Sequence, residues 1–116
     1  MRKTASTNYI NEQTLHGLCD AAYTLSVLSG RWKLTLLVKL KEGKKRFSEL
    51  KDQIPAITER VLALQLKELE KSGLILKQKS TPKGQLYSYE LTSLGISLDQ
   101  VIQSLSDWGI AHNPTV

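Results

Sequence analysis

Three stretches of this 116-residue chain predict a mainly α (α+β) fold. Residues 45–73 read as a short helix, a proline break and a longer amphipathic helix. Residues 74–91 change to the pattern of a β-hairpin, and residues 92–109 return to helical spacing with a long apolar stripe. In that order the elements predict a winged helix-turn-helix with a two-stranded β wing and N- and C-terminal dimerisation helices. With 41% hydrophobic residues the chain can bury one modest core. Residues 15–116 are therefore expected to form a single domain, behind a polar N-terminal arm at residues 1–14.

Tyr9 and Ile10 are the apolar anchors of that arm. From Leu15 the chain becomes helical in character, and Cys19 to Leu28 read as a first helix that ends at Gly30. Trp32, Leu36, Leu37 and Leu40 then recur at helical spacing, with Leu34 and Val38 adding apolar surface on flanking faces. A helix apolar on most sides belongs at the centre of a core. Gly43 stops it, and Lys44, Lys45 and Arg46 lead into the next pair of helices.

The break in that pair is Ile54-Pro55-Ala56-Ile57. Proline lacks an N–H and disfavours helical backbone in the residue before it, so the first helix ends by about Ile54. Thr58 suits the N-cap of the second helix, where its hydroxyl accepts a bond from an otherwise unpaired N–H. Ile57 and Leu62 flank that cap at the spacing of a hydrophobic staple. Gly73 fits the left-handed position that closes a helix, with Leu74 folding back on Leu69. Between the caps Val61, Leu62, Leu66 and Leu69 form one apolar stripe, while Glu59, Arg60, Ala63 and Lys67 lie elsewhere on the surface.

Beyond Gly73 the period changes. Residues 74–79 and 86–91 read as strands, the second with Tyr87, Tyr89 and Leu91 on one face. Pro82-Lys83-Gly84 supplies turn chemistry between them. A hairpin directly after such a helix is a wing, with Lys83 at its tip and Lys77 and Lys79 on its outer side. Thr92 caps a last helix, with Leu91 and Ile96 in staple positions. Leu94, Leu98, Val101, Ile102, Leu105 and Trp108 then form a stripe that either folds back on its own domain or meets a second copy.

Charge is distributed unevenly along the chain. The net charge is +5, yet residues 31–83 hold 14 Lys/Arg against 6 Asp/Glu, and residues 84–116 hold 3 acidic and no basic side chains. A basic block on a helix-turn-helix favours a polyanion, double-stranded DNA, and the acidic tail favours a protein partner. Arg60, in the first helical turn, is the first candidate for a base contact, since a guanidinium makes two bonds to guanine. A phosphate contact or an ion pair with Glu59 is the plainer reading. Thr58 is placed for a phosphate or a thymine methyl, or is simply a cap, and Ala63 and Lys67 share its exposed face. Lys44, Lys45, Arg46, Ser48, Lys77, Lys79 and Lys83 read as phosphate contacts that fix docking without carrying sequence information.

Other chemistries find little support. His16 and His112 stand at opposite ends, and no carboxylate or cysteine cluster offers a metal site or a nucleophile–base pair. No enzyme activity, metal or cofactor is expected. The first residues are polar where a secretion signal needs an apolar core, apolar runs are too short to cross a membrane, and Cys19 is the one cysteine. The expected location is cytoplasmic, without membrane contact. Cys19 itself has two readings: a thiol activated near a helix N-terminus, or a small buried hydrophobe.

Several motifs together resemble the HxlR-type bacterial winged helix-turn-helix regulators, over residues 19–109. They are Cys19, Gly30-Arg31-Trp32-Lys33, Arg46-Phe47-Ser48-Glu49-Leu50, Gln65-Leu66-Lys67-Glu68-Leu69-Glu70, Gly73-Leu74, Tyr89-Glu90-Leu91-Thr92 and Trp108-Gly109. The resemblance implies a transcriptional regulator, expected to be a repressor, that binds an inverted repeat as a homodimer through its terminal helices. It also implies that Cys19 responds to an electrophile or oxidant. The chain departs from the family pattern at Gly84, Gln85 and Leu86 in the wing, and at Glu59-Arg60 where a Gln-Lys pair is common. A protein-interaction module on the same fold, without a specific operator, is the alternative.

Overall fold

The computed structural model describes residues 19–79 and 86–115. The expected arm at 1–14, the wing-tip Lys83 and the start of the first helix lie outside the described residues. Helix α1 is described over residues 19–28, followed by α2 (Lys33–Lys41), β1 (Lys45–Arg46), α3 (Phe47–Gln53) and α4 (Glu59–Lys71). Strands β2 (Ile75–Lys79) and β3 (Tyr87–Leu91) come next, then α5 (Ser93–Ile96) and α6 (Asp99–His112).

One core joins these elements. Leu36, Leu37 and Leu40 of α2, Leu50 of α3 and Leu62, Leu66 and Leu69 of α4 are buried together with Leu28, Ile54, Ile57, Leu74, Ile75 and Tyr89. Helix α2 is central as its composition requires, although Val38 stays exposed. Truncating one of the fully buried leucines to alanine costs about 2–5 kcal/mol in a well-packed core. The Lys33 ammonium of α2 pairs with Glu68 of α4 at 3.0 Å, an anchor between scaffold and second helix.

The local signals of the helix pair are realised. Ile54 and Ile57 are buried on either side of the exposed Pro55, and the Ile57 N–H closes a turn on the Ile54 carbonyl at 3.1 Å. The Thr58 hydroxyl accepts the Val61 N–H at 3.1 Å, and the staple residues Ile57 and Leu62 are both buried. At the other end Gly73 has φ +78°. Its N–H bonds to Glu70 and that of Leu74 to Leu69, the paired bonds of a Schellman closure, with Leu69 and Leu74 both buried in the core.

The sheet is larger than a hairpin. Its order is β1-β3-β2, antiparallel throughout, with Lys45 opposite Tyr89 and Arg46 opposite Ser88. A residue pair expected to be a lead-in loop is thus a third strand. β3 becomes central, which buries the small Ser88 between its neighbours Arg46 and Gln78. In the β2–β3 register Lys77 faces Tyr89 and Lys79 faces Tyr87, so both lysines share the face of Ile75 and Tyr89. Both lysines are exposed there, on a face that the hairpin register sets and a one-residue slip would reverse.

The last helix is also divided. Thr92 caps α5 by accepting the Gly95 N–H at 3.1 Å, but the Leu98 N–H bonds three residues back, to Gly95, and tightens the turn before α6 begins. Ile96 is 59% exposed, so no sealed staple forms with Leu91. The apolar stripe splits accordingly: Leu98 and Ile102 pack against the core, whereas Leu94, Val101, Leu105 and Trp108 remain exposed. Helix α6 runs on to His112, whose ring stacks on Trp108 at 4.4 Å between centroids.

Candidate nucleic-acid interface

Helix α4 has one face locked into the core and the opposite face free of the fold. Glu59, Arg60, Ala63 and Lys67 are all exposed, as Thr58 is at the cap. Leu64 joins them at 52% exposed, four residues after Arg60. It is a residue the sequence reading passed over. The available signal was its position off the stripe of Leu62, Leu66 and Leu69, which no core function explains. Glu59 and Arg60 sit in the first turn of a capped helix, where an acidic side chain also complements the helix dipole.

The Thr58 hydroxyl is engaged as a cap through its lone pair, leaving its own hydrogen to donate elsewhere. Gln65 lies on the inner side, with Oε1 buried and unpartnered among the described residues, near Gly30. That placement fits packing and not base recognition.

The candidate phosphate contacts are not equivalent. Lys44, Arg46 and Ser48 are exposed at the junction of β1 and α3. The Arg46 N–H is held by the Glu49 carboxylate at 2.8 Å, which starts α3 at a defined angle. Lys45, in contrast, has a side chain 12% exposed and pairs with the exposed Glu42 at 3.2 Å, so its charge is already partnered within the chain. Lys77 and Lys79 are exposed on the helix-facing side of the sheet, and Lys83 lies outside the described residues.

Cys19 is a free, half-buried thiol at the first described residue of α1. Its expected place at a helix N-terminus depends on residues outside the described ones. Among the described residues no group of three or more His, Cys, Asp or Glu converges to hold a metal, and no helix is long and apolar enough to cross a membrane.

Comparison with known proteins gives this geometry its context. A family model described as HxlR-like helix-turn-helix matches residues 27–115. The HTH-type transcriptional regulator YdeP of Bacillus subtilis (strain 168) is 42% identical over 91 residues, covering 78% of this chain and 71% of that protein. The structure of the redox regulator HypR in its reduced form superposes with a TM-score of 0.76 at 33% identity, over 83% of this chain and 95% of that one. Quinone-bound YodB from B. subtilis superposes with a TM-score of 0.71 at 31% identity, over 80% and 98% of the two chains.

Proposed function

The chain belongs to the HxlR-like helix-turn-helix family, and on that footing we propose that it represses transcription by binding double-stranded DNA as a homodimer. Family and relatives are transcriptional regulators, not enzymes. The observation that carries the reading is the outward face of α4: Glu59, Arg60, Ala63, Leu64 and Lys67 are exposed on a helix held rigidly by three buried leucines.

In this reading α4 enters the major groove, as second helices of this motif do. Arg60 reads guanine, and Glu59 either accepts from a cytosine amino group or steadies Arg60. Ala63 and Leu64 meet thymine methyl groups. Thr58, Lys67, Lys44, Arg46, Ser48, Lys77, Lys79 and Lys83 set the docking through phosphates. Lys45 contributes to the fold through Glu42 more than to DNA.

Each of two copies presents α4 to one half of an inverted repeat. Support for pairing comes from the exposed apolar side chains Leu94, Val101, Leu105 and Trp108 on α5 and α6, with Tyr23 and Leu25 on α1. Such surface is uncommon on a chain that stays alone in water. Cys19 is read as the effector site. Its thiolate adds to an electrophile such as a quinone, or two Cys19 thiols, one per copy, pass two electrons and two protons to an oxidant as they join. HypR is a redox regulator and YodB has been seen with quinone, which supports that chemistry here.

Selection of duplexes by the purified protein from a random pool, followed by sequencing, tests the core of the proposal. Enrichment of an inverted repeat with half-site centres about 10 base pairs apart, or a multiple of that, is expected. A pool that emerges unenriched, with affinity indifferent to ionic strength, overturns it in favour of a protein-interaction module.

A further inference from the structure

Lys77 on β2 stands opposite Tyr89 on β3, and its ammonium lies 4.5 Å from the centre of the Tyr87 ring and 5.9 Å from that of Tyr89. These residues and Leu86 form one wall of an open cleft of about 400 Å³. Arg46, Phe47 and Ser48, where β1 passes into α3, form the other. Two basic residues, Lys77 and Arg46, thus line one concavity, and no carboxylate is among its described lining residues.

The manner in which Lys77 is held is informative. An aromatic face attracts an ammonium through its quadrupole but brings no negative charge. A lysine so placed is partly ordered, yet its charge remains to be met by an anion. The cleft also occupies a defined place in the motif, because Phe47 and Ser48 open the first helix of the pair. In helix-turn-helix docking that helix crosses the DNA backbone while the second lies in the groove.

We propose that this cleft seats one phosphodiester of the DNA backbone, with Lys77 as its ligand and Tyr87 as the residue that positions Lys77. Arg46 and Ser48 close on the phosphate from the α3 side. The proposal rests on the DNA-binding reading above and adds to it a residue, Tyr87, that the strand pattern places on one face without giving it a binding role.

The test uses the full chain and a fixed mixed-sequence duplex of about 30 base pairs, since a phosphate contact is independent of base order. Affinity is measured across a salt series, and circular dichroism melts confirm that each variant folds. Lys77→Gln is expected to weaken binding several-fold and to reduce the slope of log affinity against log salt by about 0.9 per copy. Tyr87→Leu removes the π face but keeps every charge, so binding weakens while the slope stays; Tyr87→Phe restores wild-type affinity.

An unchanged slope and affinity in Lys77→Gln overturns the proposal, as does a Tyr87→Phe variant as weak as Tyr87→Leu. A titration with inorganic phosphate, followed through the lysine side-chain NMR signals, supplies a further arm. Phosphate binding that needs Lys77 while duplex affinity does not makes this a small-anion site, and the backbone seat is overturned. In all these cases wild-type binding remains salt-dependent. A wild-type protein whose binding ignores salt removes the DNA reading itself.

Discussion

The Thr92 hydroxyl donates a hydrogen bond of 2.6 Å to the carbonyl oxygen of Gly73. The same oxygen atom of Thr92 accepts the Gly95 N–H at 3.1 Å, and the Thr92 N–H reaches the Leu74 carbonyl at 3.0 Å. One residue therefore ties the closing turn of α4 to the start of the C-terminal helices. Replacing Thr92 with Val keeps the shape and removes the hydroxyl. A loss of about 1–2 kcal/mol is expected, the cost of a missing cap with a carbonyl left unpaired. Urea unfolding reads it as a lower midpoint at unchanged slope.

Gly95 lies directly beneath that tie. A Cβ built on it would stand 2.2 Å from the Leu74 carbonyl oxygen, a backbone atom that has no rotamer by which to withdraw. Gly95→Ala, normally a small gain within a helix, is expected to destabilise by about 1–3 kcal/mol through forced backbone movement. A thermal melt at or above that of the wild type contradicts this packing.

On the exposed face of α4, Arg60→Ala is expected to relax discrimination at one base pair in each half-site, by about 1–3 kcal/mol. Lys83→Ala is expected to weaken all duplexes alike and flatten the salt dependence. Binding curves on the selected operator and a scrambled duplex distinguish the two effects. Identical behaviour of both variants removes the division between reading and docking.

The exposed part of the C-terminal stripe carries the pairing prediction. Leu105→Glu combined with Trp108→Ala leaves the core untouched, because both side chains lie outside it. The variant is expected to sediment as a monomer with intact helical circular dichroism, and to lose most of its operator affinity. Persistence of a dimer sends the interface elsewhere.

For Cys19, diamide treatment followed by mass spectrometry under non-reducing conditions is expected to give a Cys19–Cys19 link between copies or a modified thiol, with altered operator affinity. Cys19→Ser should bind DNA and ignore the oxidant. An unmodified thiol and unchanged affinity leave Cys19 a packing residue.

The order of residues along the chain is enough wherever neighbours satisfy one another. The Pro55 break, the Thr58 cap, the Gly73 closure and the buried stripe of α4 each draw on partners within a few positions, so residue type and spacing suffice. Tertiary structure decided whatever depends on a distant partner. Lys45 and Arg46 become a strand because β3 passes beside them some forty residues later, and two residues carry no periodicity of their own. The seat of Lys77 over Tyr87, the Lys33–Glu68 anchor and the bond from Thr92 to Gly73 follow from the same cause. Strand register and helix approach are settled by the whole core at once, and side chains far apart in the chain learn their neighbours only when that core closes.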